Sequence, residues 1–462
     1  MSRERKGWSD KTLENVRRFH ALAGSGRSGI LAKYPAVTAE IVKTFRDLRT
    51  SGIVVNVPLG RSIMLTIIEE MAPQVLNDKF RCSEAFVRTF FESVMVWSPR
   101  KATRAAAHIP PDAPELCERT FFRLVYAMKW EDIPGKLVVN VDQMGNYVLP
   151  NSAHTFHDKG ATQVDTVGKD EKRAYTLLVA STPSGVLLPF QQVWPGKTPQ
   201  SLPLAQASGM DEALDRGFHF AVAASESSPR SHFSTLKTMK EWVEEIFLPY
   251  VEGVIEADPN LDKNQKAILF IDAYPVHTGR DFREYMRRHE NVIVIYVPAN
   301  CTGIFQPADV GLQRPIKHFL KQELFSFLAQ THRTQMSSGI SAENVRITTS
   351  FPKLRDASVA PLVRAYDFMT GPYGRELVLK AWKKTIAKEW CLSEECLTSK
   401  KARSALNEYL GKDPTLHDEI RSRCGTVEGL TENSPQSLAE EDLDHFSVDD
   451  TDVPLSQVIE AV

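Results

Sequence analysis

The alternation of apolar and polar residues divides the chain into a helical first part and a second part rich in strands. From Val37 onward the apolar positions recur with helical period, and they predict three short helices near residues 39–48, 59–71 and 83–94. Ser83 stands before the third helix and suits its N-cap position. An earlier helical pattern near residues 11–22 is followed by the glycine-rich run 24–29, which is typical of a linker.

The second part begins after the proline-rich boundary at residues 110–114, with one more predicted helix over residues 115–129. Apolar runs then predict strands at 137–142, 175–181, 186–194, 268–271 and 292–297, with an amphipathic helix at 236–255 and a last helix opening near Asp309. Three strands joined in sequence and followed by strands that alternate with helices give the element order of the RNase H-like fold. We therefore predict an α/β domain with a mixed five-stranded sheet and flanking helices.

Three acidic residues stand at the ends of these elements. Asp142 ends the first strand, Asp272 follows the fourth, and Asp309 lies near the start of the last helix. In an RNase H-like fold these positions converge on one edge of the sheet. Taken singly, an aspartate after a strand is more often a turn residue or a helix cap. Three in this order instead predict a site for Mg²⁺, because crowded carboxylates repel one another unless a cation lies between them.

Composition and charge restrict the classes of protein that fit. A length of 462 residues predicts two or three domains, and a hydrophobic content of 42% is enough for a sizeable core. No apolar stretch is long enough to predict a membrane span or a secretion signal. Residues 1–110 carry 18 basic and 10 acidic side chains, whereas residues 425–462 carry 10 acidic and no basic ones. The basic end suits a polyanion such as DNA, although a solvated surface would have the same composition. The acidic end is predicted to be a disordered tail.

Several ordered motifs together resemble a known family. They are NVDQMG at 140–145, the segment 159–198 beginning KGATQVD, IDAYPVH at 271–277 and VPANCTGIFQPADVGLQRPIKH at 297–318. These motifs are similar to those of the DDE superfamily endonucleases of pogo and Tigger-like transposases, most of all the fungal members. The segment 80–106 also resembles the second half of a centromere-protein-B-type helix-turn-helix. A small helical bundle without a ligand is the alternative interpretation of that segment.

The resemblance implies roles for individual residues. Asp142, Asp272 and Asp309 would be the catalytic and metal-binding triad, holding Mg²⁺ or Mn²⁺, with two ions expected. The implied contacts to double-stranded DNA are made by Ser83, Arg88, Arg100, Lys101, Arg104, Lys159, Lys172 and Arg173. His277, Gln306 and Gln313 are accessory candidates, and each has a structural role in packing or hydrogen bonding as its alternative.

The predicted organisation has five parts. They are an N-terminal segment (1–36), a helix-turn-helix domain (37–109), an RNase H-like endonuclease domain (114–330), a helical extension (331–424) and the acidic tail (425–462). The resemblance implies a nuclear transposase-type enzyme, expected to be a homodimer, that cleaves and joins DNA strands. One alternative is a domesticated DNA-binding protein without catalysis. Another is an enzyme acting on RNA-containing duplexes, which a helix-turn-helix disfavours because its recognition helix fits B-form DNA.

Overall fold

The structure is a computed structural model that describes residues 29–50, 55–77, 80–98, 109–149, 173–224, 231–341, 344–346, 350–413 and 415–416. The predicted helix near residues 11–22 and the predicted acidic tail at 425–462 lie outside these ranges. The chain divides into two compact units, residues 1–107 and residues 108–462. Within the described residues, no helix is long and apolar enough to cross a membrane.

The first unit contains the three helices expected from the apolar pattern. They are α1 (Pro35–Thr50), α2 (Val57–Met71) and α3 (Glu84–Ser93), preceded by the 3₁₀ helix Gly29–Lys33. Their apolar faces meet in one core, in which Phe45 packs edge-on against Phe90 and Phe91 with centroid distances of 6.4 and 5.1 Å. Leu31 is fully buried in the same core, although it precedes the boundary predicted at residue 37.

The second unit is built on a six-stranded mixed sheet with the order β4-β3-β2-β1-β5-β6. Its strands are β1 (Val138–Tyr147), β2 (Ala174–Ser181), β3 (Gln191–Trp194), β4 (His219–Val222), β5 (Ala267–Ile271) and β6 (Val292–Tyr296). Strand β2 is antiparallel to both β1 and β3, whereas β5 is parallel to β1 and to β6. Every residue of β5 and β6 is buried, as expected of strands covered on both faces.

Strands β1, β2, β3, β5 and β6 correspond to the five predicted strands and form a mixed sheet in the order β3-β2-β1-β5-β6, so the predicted fold class is confirmed. The sheet has one strand more than the five predicted. The additional strand, β4, pairs in parallel with β3 at the edge of the sheet. It is only 4 residues long and two of them are half-exposed, so it lacks the apolar run by which the other strands are recognised.

Helices flank this sheet and continue beyond it. In chain order they are α4 (Ala113–Trp130), α5 (Met210–Asp215), α6 (Leu236–Trp242), α7 (Leu248–Ala257), α8 (Pro275–Thr278), α9 (Arg280–Met286), α10 (Thr302–Phe305), α11 (Gln313–Ser337), α12 (Phe351–Ala357), α13 (Val359–Thr370), α14 (Pro372–Lys384), α15 (Glu394–Leu397) and α16 (Lys400–Lys412). The predicted helical extension is present and also contains a small hairpin of β7 (Ile386–Ala387) and β8 (Trp390–Cys391). It packs on the sheet unit, where Trp382 donates its indole N–H to Ser181 Oγ at 3.0 Å.

Candidate active site

Asp142 lies within β1, which pairs with β2 as far as Tyr147 and does not end at Asp142 as predicted. Its carboxylate is almost fully buried, with 8% of the residue exposed. Both of its oxygens accept hydrogen bonds. The backbone N–H of Gln143 donates to Oδ1 at 2.8 Å, and the side-chain amide of Gln313 donates to Oδ2 from the first turn of α11. The orientation of this carboxylate is therefore fixed by its own strand and by the helix that follows the third acid.

Asp272 comes directly after β5, and strand pairing brings it to the same end of the sheet as Asp142. Strands β1 and β5 are parallel, with Val141 opposite Ile271, so the residues that follow this pair leave the ladder side by side. Asp272 is half-buried, and its Oδ1 lies 2.7 Å from Nδ1 of His277, which is 1% exposed. The short helix α8 places His277 in this position.

Asp309 lies in a π-helical segment, Ala308–Leu312, that leads into α11. Such segments often occur at functional sites because the widened turn redirects a side chain. Two contacts tie the segment and the residues before it to β1: Ala308 donates its backbone N–H to Asn140 Oδ1 at 3.3 Å, and the Gln306 amide donates to the Val141 carbonyl at 3.4 Å. The third acid is thereby held against the strand that bears the first.

The three acids interact electrostatically. Burial raises the pKa of Asp142 well above its usual range, and the negative charges of Asp309 and Asp272 raise it further, as does a hydrogen bond to Asp309. The backbone hydrogen bond from Gln143 acts in the opposite direction but does not cancel the rise. The structure therefore brings together the three acids that were predicted from the sequence, with Asp142 and Asp309 in direct contact.

The oxygen atoms of this acidic cluster are chemically suited to bind a divalent cation. Carboxylate oxygens are the ligands that Mg²⁺ and Mn²⁺ prefer, and a cation would offset the repulsion that raises the pKa of Asp142. The acids do not form a complete coordination sphere. In the part of the chain that is described, no group of three or more His, Cys, Asp or Glu side chains is arranged to hold a metal ion. Asp142 and Asp309 form the close pair, while Asp272 is engaged by His277.

Gln143 connects His277, which contacts Asp272, with Gln313, which contacts Asp142. It was not predicted as a site residue from the sequence. Its side-chain amide lies 3.4 Å from Nε2 of His277, and its carbonyl accepts from the amide of Gln313 at 3.4 Å. His277, held on its other side by Asp272, and Gln313, which donates to Asp142, are thus part of one hydrogen-bonded chain. Gln143 follows the first acid directly in the motif NVDQMG, which was the signal that could have pointed to it.

Two accessory candidates, His277 and Gln313, thus contact the acids directly, whereas Gln306 contacts the backbone of β1. Gln306 is fully buried, and its Oε1 has no hydrogen-bond partner among the residues that the structure describes. This arrangement gives Gln306 a role in holding the strand and the π-helical segment together. A direct contact between Gln306 and DNA is not favoured by its burial.

The predicted DNA-contacting residues are only partly within the described chain. Arg100, Lys101, Arg104, Lys159 and Lys172 lie outside it. Ser83 is exposed and is the N-cap of α3, where its hydroxyl accepts from the Phe86 N–H at 3.3 Å. Arg88 is exposed on the same helix and lies 3.9 Å from Glu84, whereas Arg173 is half-buried with its guanidinium 5.5 Å from the centre of the Phe351 ring. Their contacts to DNA stay predictions.

One protein family matches the chain. Residues 227–365 match the family described as DDE superfamily endonuclease. The segment includes Asp272, His277 and Asp309, while Asp142 precedes it. The resemblance to DDE superfamily endonucleases is therefore confirmed for this part of the chain, and the pogo and Tigger-like subfamily stays a prediction. The chain has no match among curated proteins.

Several solved structures of Mos1 are similar to the chain. The Mos1 transposase paired-end complex with left transposon end has 14% sequence identity and a TM-score of 0.32, with 65% of this chain and 73% of that chain covered. The Mos1 mariner paired end complex with Mn has 13% identity and a TM-score of 0.30, covering 65% and 72%. The Mos1 strand transfer complex has 10% identity and a TM-score of 0.29, covering 68% and 78%. The RNase H-like assignment of the present chain rests on its own strand order.

Proposed function

We propose that this protein is a transposase-type DNA endonuclease in which Asp142, Asp272 and Asp309 hold Mg²⁺ or Mn²⁺, with two ions at the site. One observation carries the proposal: three acids on three different elements meet at one end of the sheet, where Asp309 and Asp272 raise the pKa of the buried Asp142. Burying like charges together is unfavourable, so a fold selected only for stability has no reason to assemble them. The match of residues 227–365 to DDE superfamily endonucleases supports the same function.

The residues around the acids are arranged to hold carboxylates in place. Gln143 and Gln313 donate to the two oxygens of Asp142, and His277 fixes one oxygen of Asp272. When bound, the divalent cations would supply an activated water or 3′-hydroxyl and would stabilise the leaving oxygen of the phosphodiester. The pre-oriented carboxylates of this chain would bind those cations with little loss of side-chain freedom.

The helical unit would provide the DNA contacts, with α3 as the recognition helix. This part of the proposal rests on the resemblance of residues 80–106 to a helix-turn-helix and on the excess of basic residues before residue 110. Double-stranded DNA from transposon ends or sites derived from them is the proposed partner. Nuclear localisation and a homodimeric state belong to the same proposal.

Strand cleavage of labelled duplexes made from the DNA flanking the gene tests the proposal, with Mg²⁺ or Mn²⁺ and with the variant Asp272→Asn. Asp281→Asn is the matched control because Asp281 is an exposed acid in the first turn of α9 and is not one of the acids that raise the pKa of Asp142. We expect cleavage by the wild type and by Asp281→Asn, and a loss of about 100-fold or more in Asp272→Asn, since metal catalysis is worth several kcal/mol.

The same assay separates the proposed enzyme from a domesticated DNA-binding protein. If the wild type and Asp272→Asn bind the duplexes equally and neither cuts in the presence of metal, the enzymatic function is contradicted. Cleavage that is equal in the wild type and Asp272→Asn would point to a contaminating nuclease and would also remove support for the proposal. A parallel assay compares cleavage of an RNA–DNA hybrid with cleavage of double-stranded DNA and shows which of the two is the preferred substrate.

A further inference from the structure

Asn140 is a fully buried polar residue in β1, two residues before Asp142. Both ends of its side-chain amide are paired with the backbone of other elements. Its Nδ2 donates to the Phe270 carbonyl at 2.9 Å, and its Oδ1 accepts the Ala308 N–H at 3.3 Å. A buried amide costs free energy unless both its donor and its acceptor are satisfied, and here each is satisfied by a different segment.

Each of these contacts lies beside another acid of the cluster. Phe270 is two residues before Asp272 in β5, and Ala308 immediately precedes Asp309. One side chain thus joins the three segments that carry the three carboxylates. An amide suits this role, because its N–H₂ group donates to the Phe270 carbonyl while its oxygen accepts from the Ala308 N–H.

The contact to Ala308 matters most, because strand pairing does not extend to that segment. Strands β1 and β5 are already aligned by their ladder, in which Asn140 stands opposite Phe270. Asp309, in contrast, lies in a π-helical segment, and side-chain hydrogen bonds join the segment and its flanking residues to β1. Asn140 is therefore one of the side chains, with Gln306 and Gln313, that fix the separation between the first and third acids.

We infer that Asn140 is a positioning residue that sets the spacing of the three carboxylates and thereby the affinity of the site for a divalent cation. The inference rests on the proposed function, since it concerns the cation that the acids would hold. Residues that orient metal ligands without touching the metal commonly contribute about 10- to 100-fold to metal affinity. Asn140 would act in this way through the backbone of two neighbouring elements.

The test is a titration of Mn²⁺ alone into the full-length protein. Binding is measured by calorimetry or by the electron paramagnetic resonance signal of free Mn²⁺. Asn140→Leu has a similar size and removes both hydrogen bonds. Asn146→Leu is the matched control, because Asn146 is also a buried amide of β1, 9% exposed, but the bond that its Nδ2 makes within the described residues is a local one, to the Met144 carbonyl at 3.2 Å. Asn140→Ala, which also removes both hydrogen bonds, serves in place of Asn140→Leu if the latter does not fold, as judged by its thermal unfolding.

We expect the Kd for Mn²⁺ to rise about 10- to 100-fold in the Asn140 variant and to change less than about twofold in Asn146→Leu. Unchanged affinity in the Asn140 variant overturns the inference, as does an equal loss in both variants. If the wild type itself binds no Mn²⁺, the proposed function fails and the inference falls with it. Failure of the proposed function can be distinguished from failure of the inference, because only in the first case does the wild type show no binding of Mn²⁺.

Discussion

The core of the helical unit is built from apolar side chains, among them packed phenylalanine rings, whereas the acid-bearing end of the sheet is built from polar side chains that are hydrogen-bonded to one another. In the first region Phe45 and Phe90 pack edge to face, and each contact contributes to stability. In the second, Asp142 is buried beside two further acids that raise its pKa. Packing explains the first arrangement, whereas the second crowds like charges at a cost in stability and is accounted for by the proposed function.

The largest expected effect on stability comes from truncating a phenylalanine in the apolar core of the helical unit. Phe90 is 1% exposed in α3, so Phe90→Ala leaves a cavity and should destabilise the helical unit by about 3–5 kcal/mol. Amide hydrogen exchange of the full-length protein measures this loss in peptides from residues 35–93. Phe86→Ala is the control, because Phe86 is only half-buried in the same helix and its truncation should cost less. Equal losses in the two variants would show that α3 does not pack through Phe90.

A buried histidine in the sheet unit should give a smaller, pH-dependent effect. His232 is 4% exposed, and its Nδ1 lies 2.9 Å from Thr176 Oγ1 in β2. Burial lowers the pKa of His232 to about 4, from an ordinary value near 6.5. Because the unfolded chain binds this proton more tightly, the contribution is fully present above pH ~6.5 and is lost as the pH falls towards about 4, by at most about 3 kcal/mol.

The variant His232→Gln keeps a polar partner for Thr176 but cannot take up the proton. The free energy of unfolding, measured by urea denaturation at pH 7 and pH 4.5, should therefore fall less in the variant than in the wild type. Parallel curves for the two proteins would contradict the lowered pKa of His232. A smaller fall in the variant would set His232, which is packed and hydrogen-bonded to Thr176, apart from Asp142, which is buried beside two like charges.

Much of both regions was predictable from the sequence because the signals are local. The three acids follow apolar runs or open a helix, and Ser83 precedes an apolar helical pattern, so neighbouring residues reveal their positions. The same holds for the strands β5 and β6, which are continuous apolar runs.

The partners of the acids were not predictable in the same way. Asn140 contacts Phe270 and Ala308, which are 130 and 168 residues away in sequence, so no local pattern reveals these contacts. The period of the apolar residues does not distinguish the π-helical turn at Asp309 from an α-helical turn, and the short edge strand β4 has too few apolar residues to be recognised. These features depend on how distant elements meet, which only the folded structure shows.

The most direct test of the central claim is the stability of Asp142→Asn with and without Mn²⁺, measured by urea denaturation at pH 7. Without the cation we expect the variant to be more stable than the wild type by about 1 kcal/mol, since it removes a buried carboxylate from two like charges. With Mn²⁺ at 100 times its Kd, the wild type should gain about 2.7 kcal/mol and the variant far less. A variant that is less stable than the wild type without the cation, with both proteins stabilised equally by Mn²⁺, would contradict the claim that the acids form a cation site.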